Sequence, residues 1–121
     1  MNLTFHSVDS DNNKVTYTTE YEYIDDEYIF LDKSVEDTKI YLKIADDLKI
    51  RIKRLGNVNM EIVFDQNNNT IGNYKSKEGL VFELIISNTK IEINKNKLYL
   101  EYDSTIYDIK TNHKIWILFN S

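Results

Sequence analysis

Apolar and polar side chains alternate with a period of two along almost the whole chain, and this pattern constrains the fold more than any other feature. In one example, Ile40, Leu42 and Ile44 alternate with Lys39, Tyr41 and Lys43. Such alternation is typical of strands with one buried and one exposed face. The runs recur at the roughly 8–12-residue spacing of sandwiches and barrels, with turn-like segments between them, which predicts about ten or eleven strands.

Composition also disfavours helices. The chain has a single Ala but nine Tyr, and Ala favours helix whereas aromatic residues favour strand. Hairpin-length connections favour a meander, and a closed meander leaves no exposed sheet edge. We therefore predict an all-β fold, a single antiparallel up-and-down barrel of about 8–11 strands. One domain is expected to span residues 1–121.

Charge and residue usage exclude several classes of protein. The formal net charge of −5 argues against a general affinity for nucleic acid. The longest apolar run, residues 115–119, is far shorter than the ~20 residues of a membrane helix. The chain has no Cys, which fits a reducing compartment. It has no basic start followed by an apolar stretch, so we expect no secretory signal. We therefore expect a cytoplasmic protein with no membrane association and no nucleic-acid partner.

Motifs for metal binding and nucleophilic catalysis are incomplete. Asp9 to Glu20 resembles an EF-hand calcium loop, but Lys14 stands where Gly is needed and a strand pattern follows. His6 and His113 are interpreted as surface residues without a carboxylate partner, His113 within a terminal turn. Neither a G-x-S-x-G motif nor a Gly-rich phosphate loop occurs. We therefore predict no metal, no cofactor and no catalytic residue.

The hairpin over residues 39–54 carries basic side chains on the face opposite its apolar one. They are Lys39, Lys43, Lys49, Arg51 and Lys53, here called the basic face. One interpretation is a docking patch for RNA or another polyanion. The preceding segment, residues 20–37, is strongly acidic. Because successive strands of a meander are neighbours, we favour neutralisation of the basic face by cross-strand ion pairs.

The inward-facing positions carry the side chains with the most binding potential. Continuing the apolar alternation of residues 50 and 52 by one step places Arg54 inside the barrel near a strand end. The same extrapolation places Tyr102 inside, and the second strand turns Tyr21 and Tyr23 inward. A guanidinium group in such a place must be paired. Either Arg54 binds a carboxylate or phosphate in a cavity lined by these tyrosines, or it plugs one end of a filled barrel.

Several features resemble one bacterial family. They are the Arg54-Leu55-Gly56 turn, the strand from Met60 to Phe64, Tyr74 followed by Gly79, and the L-x-L-x-Y strand from Leu98 to Tyr102. The order of these features from about residue 38 to residue 119 resembles that in the YwiB-like family of unknown function. The members of this family are small calycin-like barrels. The resemblance implies a lipocalin-like antiparallel barrel and no particular chemistry.

Two classes of function remain open. The first is a non-enzymatic barrel that binds a small anionic or apolar ligand, or a protein partner, with Arg54, Tyr102, Tyr21 and Tyr23 as ligand-binding residues. The second is an enzyme acting on a small anionic substrate through Arg54, Tyr74 or Tyr102. We prefer the first because general acid–base catalysis needs a positioned His, Asp or Glu. The inward positions are predicted to carry none.

Overall fold

Alternate apolar side chains turn to a common interior, as the sequence pattern predicts. The computed structural model of the protein describes residues 1–45 and 47–120. On one strand Leu98, Leu100 and Tyr102 are buried, whereas Lys97 is exposed. Burial of this face supplies the hydrophobic stabilisation of the fold.

The described residues form ten strands and no helix. The strands are β1 (Asn2–Asp9), β2 (Lys14–Ile24), β3 (Glu27–Leu31), β4 (Thr38–Ile44), β5 (Ile50–Gly56), β6 (Asn59–Phe64), β7 (Thr70–Lys75), β8 (Val81–Asn94), β9 (Lys97–Ile106) and β10 (Ile109–Asn120). Each strand pairs with the next, and β1 also pairs antiparallel with β10, which closes the barrel. The predicted all-β up-and-down barrel is confirmed. No helix in the described part of the chain is long and apolar enough to cross a membrane.

The structure differs from the sequence prediction along β8. The alternating runs at residues 80–86 and 91–93 predict two separate strands, but the chain from Val81 to Asn94 forms one long strand. Its pairing with β9 is shifted between Ser87 and Lys90, and Asn88 there has a φ of 53°. A β-bulge of this kind adds residues to one strand without ending it, which explains why a polar interruption in the sequence is not a turn.

The last hairpin also differs from its prediction. The polar segment at residues 111–113, expected as a turn, lies within β10. The chain instead reverses at Tyr107 and Asp108, whose φ values are 49° and 66°. Two consecutive positive φ values suit the tight two-residue turn of a β-hairpin. The residues after this turn therefore alternate in and out of the barrel.

Strand direction alternates around the barrel, so all odd-numbered strands end at the same end, here called the mouth. The turns at residues 10–13, 32–37, 57–58, 76–80 and 107–108 lie there. The opposite end is here called the base, and the apolar interior near it includes Leu3, Ile50 and Leu98, which are at most 1% exposed. The two ends therefore offer different surroundings to an inward-facing side chain.

The basic face lies on the outside of β4 and β5, and part of it is paired with carboxylates. Arg51 is 3.3 Å from Glu27, and Lys53 is 3.4 Å from Glu61. Glu27 also lies opposite Lys43 in the register of β3 and β4. Ion pairs with residues of neighbouring strands thus offset charge on the basic face, as expected when successive strands lie side by side.

Candidate functional site

A cavity of about 450 Å³ lies inside the barrel and extends from its middle to the mouth. Its inner wall is apolar and includes Phe30, Leu42, Ile62, Phe64 and Leu84. Near the mouth its lining includes Asp11, Asn13 and Ser34, all exposed residues of turns, so the cavity reaches solvent there. Its volume lies in the range of about 300–1,000 Å³ typical of small-molecule sites.

Arg54 points into the cavity near the mouth and forms an ion pair with Asp32. Its Nε and Nη2 both donate to Oδ2 of Asp32, at 3.0 and 2.6 Å. The Asp32 side chain is 4% exposed and that of Arg54 is 21% exposed. The inward position predicted for Arg54 is thus where the residue lies, but its charge is balanced by a carboxylate of the same chain.

The loop between β3 and β4 holds this carboxylate in place. Oδ1 of Asp32 accepts hydrogen bonds from the backbone N–H and the hydroxyl of Ser34. Both carboxylate oxygens of Asp32 are therefore engaged, one by the loop and one by Arg54. A carboxylate held on both sides is positioned to orient the guanidinium group.

A second polar group lies on β9 and β10 and also lines the cavity. Oγ of Ser104 is 2.7 Å from Nε2 of His113. The imidazole stacks on the ring of Tyr102, with centroids 4.6 Å apart and planes 17° apart. The expectation that His113 is a surface residue in a turn is wrong, because β10 begins at Ile109 and carries His113 on its inward face.

The cavity favours the neutral form of His113. Burial lowers the pKa of His113 below its ordinary value of 6.5, although the carboxylates of Asp9, Asp103 and Asp11 act to raise it. Removing a charged imidazole from water is unfavourable, and this outweighs the attraction of the carboxylates. At pH 7 the ring is therefore mostly uncharged.

This burial predicts a pH-dependent stability. We expect the free energy of unfolding to fall as the pH drops from about 7 to about 5, because the unfolded chain protonates His113 near pH 6.5 while the folded chain resists protonation. Urea midpoints at several pH values measure the effect, and His113→Gln should flatten this part of the profile. An equally steep profile in His113→Gln would contradict this account.

The carboxyl groups act in a separate pH window. Hydrogen bonds from Asn88 to Asp103 and from Tyr99 to Glu101 lower the pKa of each carboxyl group. A lowered carboxyl pKa stabilises the fold above the unfolded pKa, and this stabilisation is lost below about pH 4. Loss of stability between pH 7 and pH 5 can therefore be separated from acid unfolding.

Tyr17 lies inside the barrel with its ring stacked on Phe5 at 5.1 Å. Its hydroxyl oxygen is buried and has no hydrogen-bond partner among the described residues. Burial raises the pKa of Tyr17, and the charge of Asp32 adds to this effect. The phenol therefore stays protonated.

We expect Tyr17→Phe to keep or raise stability, by up to about 1 kcal/mol, because removing an unpaired buried hydroxyl also removes its desolvation cost. Thermal or urea unfolding of Tyr17→Phe beside wild type measures this. A loss of more than about 1 kcal/mol would show that the hydroxyl makes a stabilising hydrogen bond in solution.

Tyr21 and Tyr23 lie away from the cavity. Strand β2 runs from the mouth to the base, so its last residues are at the base. Tyr21, Tyr23, Tyr28 and Phe119 form an aromatic cluster there, with ring centroids 4.6–5.7 Å apart. The structure thus brings Arg54 and Tyr102 to one cavity and leaves Tyr21 and Tyr23 outside its lining.

The segment that resembles a calcium loop is a hairpin turn. Oδ1 of Asp9 accepts hydrogen bonds from the backbone N–H groups of Asp11 and Asn13, at 2.9 and 3.0 Å. Asp9 thus stabilises the turn between β1 and β2. Within residues 1–45 and 47–120, no group of three or more His, Cys, Asp or Glu side chains could hold a metal ion.

The sequence analysis missed several polar residues of the cavity, among them Asp32, Ser104 and His113. Each of these three lies two residues from a buried apolar residue of the same strand or of its extension. Asp32 follows Phe30, Ser104 follows Tyr102, and His113 precedes Ile115. The two-residue step that places Arg54 inside would have found all three.

Comparison with known proteins supports the fold. A family model described as a domain of unknown function, DUF1934, matches residues 2–116. The crystal structure of the ywiB protein from Bacillus subtilis matches with a TM-score of 0.64 and 19% sequence identity, covering 99% of this chain and 91% of that chain. At this identity the structural likeness shows the fold alone. No curated protein matches the sequence.

Proposed function

The chain belongs to the DUF1934 family, described as a domain of unknown function, and from the geometry of its cavity we propose that it binds a small, mainly apolar ligand inside the barrel without changing it chemically. Membership of this family agrees with the resemblance to the YwiB-like family that the sequence features indicate. The observation that carries the proposal is the cavity of about 450 Å³ with apolar walls and a polar mouth. Apolar walls with a few converging polar groups are typical of small-molecule sites.

Apolar contact with the inner wall supplies most of the affinity under this proposal. Each buried methylene group of a ligand contributes about 0.8 kcal/mol. The polar groups at the mouth, Arg54 with Asp32 and His113 with Ser104, then orient the ligand, because its polar end loses water and must find hydrogen bonds.

An enzyme is the second candidate, since the expectation that no His, Asp or Glu faces inward is wrong. Asp32 and His113 both line the cavity, and His113 lies within hydrogen-bond distance of Ser104. A Ser–His–carboxylate triad also needs a carboxylate on the second ring nitrogen. Among the described residues, no hydrogen bond joins a carboxylate to Nδ1 of His113. Both oxygens of Asp32 are engaged elsewhere, and we therefore favour binding.

Fluorescence titration with N-phenyl-1-naphthylamine, an uncharged apolar dye, tests the proposed function. We expect saturable binding with enhanced, blue-shifted emission, as for a dye that leaves water for an apolar cavity. Hydrolysis of p-nitrophenyl acetate tests the alternative, and activity lost in both Ser104→Ala and His113→Gln would favour an enzyme. Absence of saturable dye binding would contradict the proposed function.

We further propose that residues 1–121 form one domain and that the protein works in the cytoplasm. The absence of Cys supports this location, because disulfides belong to oxidising compartments. The ion pairs of Arg51 and Lys53, together with the net charge of −5, favour an absence of polyanion binding by the basic face.

A further inference from the structure

We infer that the cavity accepts ligands whose polar head is uncharged, such as an alcohol, ketone or amide, and discriminates against carboxylates, sulfonates and phosphates. This inference rests on the proposed function and names the chemical class of the ligand. It reverses the first interpretation of Arg54 as a residue that binds an anion.

The first reason is that Arg54 already holds an anion. Two of its N–H groups bond the same oxygen of Asp32, at 2.6 and 3.0 Å. Asp32 is nearly buried, and the loop residue Ser34 holds its other oxygen. An anionic ligand would have to displace a carboxylate that is fixed in place or add a second negative charge beside it. Both are unfavourable, because a buried charge left unpaired is costly.

The second reason is the charge of the other residues at the mouth. Asp9 and Asp11 line the cavity there. Burial keeps His113 mostly uncharged at pH 7, so it does not offset them. Among residues 1–45 and 47–120 neither Asp9 nor Asp11 forms a salt bridge. Because the Asp32–Arg54 pair is neutral as a unit, these two carboxylates give the mouth a net negative charge. A cavity with walls of low dielectric strengthens their effect on an entering anion.

The third reason is that the mouth offers hydrogen-bond donors to a neutral acceptor. A guanidinium group has five N–H donors, and Asp32 engages two of those of Arg54. Tyr102 and His113 line the same cavity and add a phenol and an imidazole. A hydroxyl or carbonyl oxygen can accept from such donors without disturbing the ion pair.

A matched pair of dyes tests this inference. N-phenyl-1-naphthylamine and 8-anilinonaphthalene-1-sulfonate share one aromatic skeleton, and the second carries an added sulfonate. We expect the uncharged dye to bind at least about tenfold more tightly at low salt, where charges are least screened. Added salt should narrow the difference. Decanol should displace the uncharged dye more effectively than decanoate does.

Two variants show whether the charges at the mouth cause the preference. Asp11→Asn removes a carboxylate that lines the cavity, and we expect it to lower the affinity ratio of the two dyes by about two- to tenfold. Asp26→Asn removes the same charge at the base, where Asp26 has a φ of 66° that Asn tolerates. The ratio should stay at its wild-type value in Asp26→Asn.

The outcomes separate the inference from the proposed function. If neither dye binds, the proposed function fails. If both dyes bind and the sulfonate binds as tightly or more tightly, only the inference is overturned. Loss of the sulfonate's affinity in Arg54→Met would then show that the cavity is an anion site. An unchanged ratio in Asp11→Asn would also overturn the inference.

Discussion

Asp32→Ala is expected to lower the free energy of unfolding by about 3–5 kcal/mol, because it leaves the partly buried Arg54 without its carboxylate. The side chain of Asp32 is 4% exposed, and both of its oxygens accept hydrogen bonds. The substitution also removes the bonds that fix the loop after β3. Urea unfolding followed by circular dichroism measures the change.

Two further variants make the Asp32 experiment specific. Glu36→Ala removes an exposed carboxylate from the same loop and should change stability by no more than about 0.5 kcal/mol. Combining Asp32→Ala with Arg54→Met should cost less than the sum of the two single changes, since neither partner is then left unpaired. An Asp32→Ala protein within about 1 kcal/mol of wild type would show that the pair is solvated.

Ser104→Phe should abolish binding of N-phenyl-1-naphthylamine, because Ser104 is a small residue facing the cavity and a phenyl ring there occupies the space of the ligand. Ser104 is 9% exposed and lines the cavity. The substitution also removes the contact with Nε2 of His113. Fluorescence titration measures the binding, and circular dichroism shows whether the barrel persists.

The matched control for Ser104→Phe is the next residue of the same strand. Thr105 lies opposite the exposed Ile85 in the register of β8 and β9, so its side chain faces outward. Thr105→Phe adds the same ring to the outside of the barrel and should bind the dye as wild type does. Equal affinity in Ser104→Phe and Thr105→Phe would place the dye outside the barrel.

The barrel itself could be predicted from the sequence because its cause is local. Alternation at positions such as Ile40 and Leu42 fixes which face of a strand is buried, and this local rule holds on every strand. A bulge is different. Within β8 the buried positions change from even numbers (Leu84, Ile86) to odd numbers (Thr89, Ile91). Such a break in the alternation fits either a turn or a bulge, and the pairing of β8 with β9 shows that it is a bulge.

The candidate site could be predicted only in part, because alternation gives the face of a residue but not its depth. Arg54 and Tyr102 face inward near the ends of β5 and β9, and both strands run toward the mouth. Tyr21 and Tyr23 occupy the corresponding part of β2, which runs toward the base. In an up-and-down barrel the direction of each strand is known, so alternation combined with strand direction would have placed Arg54 and Tyr102 at the mouth and Tyr21 and Tyr23 at the base.

The two-residue step would have placed Asp32, Ser104 and His113 inside, but it does not show which polar groups pair with each other. Asp32 lies just beyond β3, in a segment that its composition marks as a loop. Its role depends on meeting Arg54, which is 22 residues away in the sequence. Such a pairing follows from the neighbouring positions of β3, β4 and β5, and only the folded chain brings these residues together.

A crystal structure of the protein with N-phenyl-1-naphthylamine tests the central claim most directly, namely that the interior of the barrel is a ligand site open at the mouth. We expect electron density for the dye between the apolar walls near Phe64 and Leu84, with its amine toward Arg54 and Tyr102. A lumen filled by protein side chains, with the dye absent or bound only on the outer surface, would contradict the claim.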